Sequence, residues 1–263
     1  MIISTFRYSI KNDTTKKITK TVEPRFDEDG DLILDNNEDE TVKVEHKIQT
    51  NLTDVGFQIW RGAFFMADFA LQNKFFFQDK TVLEIGAGTG ITSIVMSKHC
   101  QCKEIVVTDI ALIQESLKNN LKRNNAVAGI SADILDLNHF ETSDAIYSKV
   151  TSEVDVVFGA DIIYDNDITD GIIKFLEILL KSSHSDDKTL YFAIDKRYIF
   201  TLDVLDAIAP AYEYFMAKLD EFCVTKEIKI LEYYPEEIDQ AFCYERSKDL
   251  VLIAIQIENR EGQ

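Results

Sequence analysis

The 263-residue sequence predicts a doubly wound α/β fold: a mostly parallel seven-stranded sheet, covered by helices on both faces and closed by an antiparallel C-terminal edge hairpin. Three observations carry the prediction. From residue 54 onward, short apolar runs rich in Val and Ile alternate with longer segments of helical periodicity. The first of those runs passes directly into the glycine-rich turn "VLEIGAGTGI", residues 82–91. The last two runs have no full helix between them, which suits a hairpin at the sheet's edge.

Residues 1–53 are charged, threonine-rich and poor in helical periodicity, and are expected to form a small N-terminal β-hairpin extension. Within "EPRFDEDGDLIL", Asp29-Gly30 lies between two apolar runs, and glycine accepts the positive φ of a hairpin turn. Gly30 follows Asp27 too closely for a calcium loop, so a solvated hairpin is the better reading. The main domain is expected over 54–263. Phe57 to about Leu71 carries apolar groups at helical spacing. Strands are expected at "KTVLEIG", "EIVVTD", "AGISAD", "EVDVVFGAD", "KTLYFAID", "EIKILEYY" and "KDLVLIAIQI". Helices are expected at "GITSIVMSKHC", "ALIQESLKNNLKRNN" and "DITDGIIKFLEILLKS". A long helix from about Phe200 to Glu221 would be kinked at Pro210.

A hydrophobic fraction of 46% is enough for a sizeable core. The formal charge of −18 argues against docking on nucleic acid, whose affinity rests on Lys and Arg neutralising phosphates, and suits a basic partner instead. Cys100, Cys102, Cys223 and Cys243 are scattered, and His46, His99, His139 and His184 have no ligand spacing, so neither a metal site nor a disulfide framework is expected. "MIISTFRYSIK" lacks the apolar core of a signal peptide, and no run is long enough to span a bilayer. A monomer of the nucleus or cytoplasm is expected.

Gly86, Gly88 and Gly90 alternate in the turn, whereas the dinucleotide fingerprint of Rossmann folds spaces its last glycine one residue later. The turn is therefore Rossmann-like without copying that fingerprint. In such a sheet, ligands bind beyond the carboxyl ends of the strands. Three of those ends carry acids or glycines: "EIGAGTG", Asp109 and "GADIIY". Asp109 stands where a carboxylate would accept both hydroxyls of a ribose. The plainer alternatives are a tight turn without ligand and an N-terminal cap for "ALIQESL". Glu84, just before the turn, is a poor neighbour for a pyrophosphate and a good one for a cation. The sign of its charge favours S-adenosylmethionine, with its sulfonium and ammonium, over NAD.

"LEIGAGTGI" with the downstream "VVTD" resembles motif I and its following acid in class I, seven-β-strand methyltransferases. "GFQIWRGAFFMADF" and "GADIIYDND" narrow the similarity to the family 16 protein methyltransferases, over roughly Asp54 to Ile257. The resemblance implies a protein-lysine N-methyltransferase. It implies that Trp60 contacts the cofactor, although an anchoring role in the leading helix is nearly as good a reading. It further implies that Gly86, Ala87 and Gly88 line the methionine and ribose end, that Asp109 binds ribose, and that Asp136 lies by the adenine. Ala160 would supply a further cofactor contact. Asp161 and Tyr164 match the D-x-x-Y signature that positions the target amine. Where relatives commonly carry tryptophan after the Asp136 position, this chain has Leu137, which offers adenine an apolar face without aromatic stacking.

On this reading Asp161 attracts and orients the incoming ammonium and Tyr164 borders its channel; the alternative has Asp161 capping a helix that starts near Ile168. Lys196 and Arg197 follow the fifth strand and fall on the same edge, where they either shape the substrate mouth or pair with surplus acids. The implied substrate is a protein carrying a lysine in a basic segment, of the nuclear, nucleic-acid-binding kind. A nucleic-acid methyltransferase is disfavoured by the charge and by the lack of proline in "GADIIY". A cofactor-poor interaction scaffold is the remaining alternative, with Leu137 as its support.

Overall fold

The computed structural model describes residues 1–10, 25–26, 32–33, 39–126, 129–141, 144–181, 188–201, 206–224 and 228–257. The N-terminal strands β1 (Ile2–Ser9) and β4 (Asp39–His46) pair antiparallel, with Ile2 opposite His46 and Ser9 opposite Asp39. Alternation puts Tyr8, Val42 and Val44 on the inner face, where they join the core of the main domain. Between them, β2 (Arg25–Phe26) and β3 (Leu32–Ile33) pair antiparallel as the hairpin signal predicts, while Asp29-Gly30 itself lies outside the described residues. A 3-10 turn over Leu52–Phe57 then leads to α1 (Arg61–Gln72), so the helix starts four residues later than periodicity alone suggests.

The alternating part follows: β5 (Thr81–Glu84), α2 (Ile91–His99), β6 (Glu104–Asp109), α3 (Gln114–Arg123), β7 (Ile130–Ile134), α4 (Tyr147–Ser152), β8 (Val156–Ala160), α5 (Asn166–Lys181) and β9 (Thr189–Asp195). The short α4 has no counterpart in the sequence reading. After β9 come β10 (Ile199–Thr201), β11 (Asp206–Ile208), α6 (Pro210–Val224), β12 (Ile228–Tyr233) and β13 (Leu250–Ile257). The expected long helix from Phe200 is thus corrected. A small antiparallel hairpin, β10 with β11, occupies its first half, and α6 begins at Pro210. Proline's missing N–H costs nothing at the first helical position, so here it starts a helix instead of bending one.

Seven strands form one sheet in the order β12-β13-β9-β8-β5-β6-β7. All neighbours run parallel except β13, which is antiparallel to both β9 and β12. Successive side chains of the central strands bury on opposite faces. Val82, Val107 and Phe158 join the core beneath α1 and α2, and Leu83, Val106 and Val157 join the core beneath α5 and α6. Helix α5 meets its half with Ile172, Phe175, Leu176 and Leu179, the i, i+3, i+4, i+7 stripe of an amphipathic helix. No helix among the described residues is long and apolar enough to cross a membrane. Strand order reverses between β5 and β8, and this is the crevice where open α/β sheets bind ligands.

Candidate active site

A cavity of ≈ 350 Å³ opens at the carboxyl ends of β5, β6 and β8. It is lined by every residue given a cofactor or catalytic role in the sequence analysis: Trp60, Glu84, Gly86, Ala87, Gly88, Asp109, Asp136, Leu137, Ala160, Asp161 and Tyr164. Four of its lining residues are carboxylic acids, and none is Lys, Arg or His.

The glycine turn wraps against the end of β6. The Gly88 N–H donates to Asp109 Oδ2 at 2.7 Å, and the Ala87 N–H donates to the Thr108 carbonyl at 2.9 Å. Gly88 holds φ +55°, and a Cβ there would lie 2.8 Å from the Gly56 carbonyl oxygen. Only glycine allows both the left-handed turn and the strap of residues 52–57 lying across it. The other oxygen of Asp109 accepts the Ile110 N–H at 2.7 Å, and α3 begins only at Gln114, so Asp109 is not its cap. Each carboxylate oxygen keeps a free lone pair, which is what a vicinal diol requires. Burial pushes the Asp109 carboxyl up to about 6, against the two N–H bonds that oppose the shift.

Glu84 is buried at the cavity floor with the Ser93 hydroxyl against it. Burial drives its carboxyl up to about 8; Ser93 opposes this and the charge of Asp109 adds to it. No cation among the described residues pairs with Glu84, so a cationic ligand group would find an uncompensated acid there. Asp136 folds back to accept the Asn138 N–H at 3.0 Å and also meets His139 Nδ1 at 2.9 Å. Leu137 packs against α5, leaving so little room that a Cβ on Gly171 would lie 2.7 Å from its carbonyl oxygen.

Trp60 precedes the first turn of α1. Its indole N–H donates to the Val55 carbonyl at 3.1 Å, tying the strap to the helix while the ring lines the cavity. The anchor and the cavity wall are therefore the same side chain. Asp161, just past Ala160 at the end of β8, holds three elements together. Its Oδ2 accepts the Gly62 N–H of α1 at 2.6 Å, its Oδ1 accepts the Asp195 N–H at the end of β9 at 2.9 Å, and its own N–H donates to the Ala193 carbonyl at 2.8 Å. The helix it caps is thus α1, in place of the helix near Ile168; the first turn of α5 is held by Asp165, whose side chain accepts the Asp167 N–H. Burial raises the Asp161 carboxyl, while the nearby Arg197 and the two N–H donors pull it back down. Tyr164 is 37% exposed and forms the outer wall.

Sequence reasoning missed the strap, because a 3-10 turn leaves no period to detect. Arg61 entered only as part of the quoted "GFQIWRGAFFMADF", with no contact assigned; it pairs with Asp195 at 2.8 Å and fixes the start of α1 to the sheet. The sequence reading placed Arg197 on the correct edge without its contacts: the guanidinium lies 4.6 Å from the Trp60 ring centre and 3.7 Å from Asp161.

A family model described as lysine methyltransferase matches residues 36–221. The chain belongs to the lysine methyltransferase family. It is 30% identical to methyltransferase-like protein 22 of Mus musculus, over 92% of this chain and 66% of that protein. It is 29% identical to the Homo sapiens protein of that name, over 80% of this chain and 56% of the relative. Protein-lysine N-methyltransferase EFM3 of Saccharomyces cerevisiae is 32% identical over 52% of this chain and 45% of its own length. The chain therefore spans between about half and two thirds of these relatives. Among solved structures, the methyltransferase domain of bacterial CtHen1-C shares the fold, with a TM-score of 0.51 and 14% identity over 80% of this chain and all of that one.

The cofactor of this methyltransferase family is S-adenosylmethionine, and the residues fit it. Asp109 and the glycine turn suit a ribose, and Ile110, Leu135 and Leu137 supply an apolar setting for adenine beside Asp136. Glu84, buried and without a cationic partner among the described residues, suits the cationic methionine end.

Proposed function

We propose that this chain, acting as a monomer, transfers a methyl group from S-adenosylmethionine to the ε-amine of a lysine in a basic segment of a protein substrate. The observation that supports this most is a cavity walled by four acids and no bases, with Asp161 and Tyr164 at its outer end. A pyrophosphate cofactor would face repulsion there, and a sulfonium is attracted.

When bound, S-adenosylmethionine supplies a methyl group on a sulfonium, whose carbon–sulfur bond breaks as the new carbon–nitrogen bond forms. The chain's task is to present a neutral amine in line with that bond. A free lysine near pKa 10.4 is mostly protonated at neutral pH. Asp161, rigidly held by Gly62 and Asp195, draws the ammonium toward the site. Burial and the adjacent cationic groups then favour release of its proton to solvent. Tyr164 borders the path with its ring and hydroxyl. Asp161 acts by orientation and charge, without serving as an obligatory base.

The acidic surface and the family likeness support a substrate of the nuclear, nucleic-acid-binding kind, rich in Lys and Arg, met in the nucleus or cytoplasm. Incubation with labelled S-adenosylmethionine and separate nuclear and cytosolic extracts, followed by mapping of the labelled side chain, tests the reading. Label on lysine of a basic protein is expected. Label on arginine, histidine or RNA would overturn the substrate class.

A further inference from the structure

A second cavity, of ≈ 440 Å³, adjoins the first and shares Tyr164 with it. Its walls come from the segment after β8 (Asp165, Asn166, Asp167), the end of β9 (Asp195, Lys196, Arg197) and the start of α6 (Pro210, Ala211). Neither the family match nor the relatives' names assign it a role. Resting on the reading above, we propose that this second cavity is the entrance for the acceptor, taking a lysine in an extended, Arg- and Lys-rich protein segment, while the methyl donor enters through the first.

In-line displacement supplies the first argument. The amine must approach the methyl carbon from the side opposite the departing sulfur. A donor held by Glu84 and Asp109 would occupy the cavity at the ends of β5 and β6, which leaves the β8–β9 side as the acceptor's route. Tyr164 is the wall common to both cavities, and Asp161 stands beside the junction with Arg197 3.7 Å from its carboxylate.

The chemistry of the walls supplies the second. Both local cations already sit on aromatic rings, Lys196 4.6 Å from the Tyr212 ring centre and Arg197 4.6 Å from that of Trp60. Asp195 is engaged by Arg61. Asp165 and Asp167 remain exposed at the rim, with no ion pair among the described residues, on a molecule of net charge −18. Directly after Arg197 in the chain, Tyr198 and, on β10, Phe200 are exposed, at 49% and 66%. Rim carboxylates beside aromatic rings attract cationic side chains and repel acidic ones.

The test uses the full chain and two fluorescent twelve-residue peptides, each with one central lysine, flanked by arginines in one and by glutamates in the other. Anisotropy is read with S-adenosylhomocysteine present. The arginine peptide should bind, more weakly as salt is raised, and the glutamate peptide should not. Ala211→Trp, which fills the opening, and Asp167→Lys, which reverses a rim charge, should each weaken peptide binding by about tenfold or more. The calorimetric affinity for S-adenosylmethionine should be unchanged in both, which also shows that they are folded. Wild-type chain that ignores the arginine peptide, or variants that bind it undiminished, would overturn this entrance while leaving methyl transfer into extract intact. Loss of that wild-type transfer would instead remove the underlying function.

Discussion

Asp161 holds a left-handed backbone, φ +54°, that a side chain with a Cβ adopts only at a cost of about 1–2 kcal/mol. The N–H donors of Gly62 and Asp195 hold that conformation and fix the carboxylate in the wall of the first cavity. Replacing it by Asn keeps the size and one acceptor but removes the charge. Asp161→Asn should slow methyl transfer by about 10²-fold or more, with S-adenosylmethionine affinity by calorimetry little changed; an unaltered rate would take Asp161 out of the mechanism. Glu84 allows a pH prediction. Its carboxyl titrates near 8 in the folded, empty site against about 4.3 unfolded, so at neutral pH the folded state holds the extra proton. The stability this contributes is fully present below about 4.3 and is lost as pH rises through about 8. The empty protein should therefore melt at a lower temperature at pH 8 than at pH 6 through this group, and Glu84→Gln should flatten that part of the dependence. Binding of the cationic donor should expel the proton, seen as a calorimetric heat that changes with the buffer's ionisation enthalpy. Equal heats in all buffers at pH 7 would mean that binding takes no proton from Glu84 and would contradict this prediction. These residues were legible in the sequence because strand ends bearing Gly, Asp and Glu point to a ligand edge. The Asp161–Gly62 bond was not, since partners 99 positions apart leave no local pattern.

At the scale of elements, the central strands were readable because each buries side chains on both faces and so shows an unbroken run of Val, Ile and Leu. The start of α6 was misread because proline disrupts a helix interior and opens a helix at its first turn, and periodicity upstream of Pro210 does not separate the two. The polar part of the join between the N-terminal strands and the main domain was also invisible, because much of it runs through a buried amide. Asn120 of α3 exchanges hydrogen bonds with the backbone of Glu45 on β4, at 2.8 and 3.0 Å, and donates to the Thr89 carbonyl of the glycine turn at 3.1 Å. Asn120→Ala would leave those buried groups unsatisfied. It should cost about 2–3 kcal/mol of unfolding free energy in a urea titration, and it should weaken S-adenosylmethionine binding by loosening the turn. A fully tolerated substitution would show that the N-terminal strands do not support the site.

For the whole molecule, two cavities share Tyr164 on a chain of net charge −18, and the proposed reading gives one to the methyl donor and the other to a basic acceptor. The fold class, the sheet's parallel run and its antiparallel edge were all legible from the order of apolar runs. Which protein supplies the lysine was not, because substrate choice depends on exposed side chains that no periodic pattern constrains. The account depends first on the shared cavity at the ends of β5, β6 and β8 acting as a site for the methyl donor. Titration calorimetry of the purified, folded chain with S-adenosylmethionine tests this most directly. The account predicts saturable binding of one donor per chain, lost in Asp109→Ala; folded wild-type protein with no measurable affinity, or an Asp109→Ala variant that binds equally well, would contradict it.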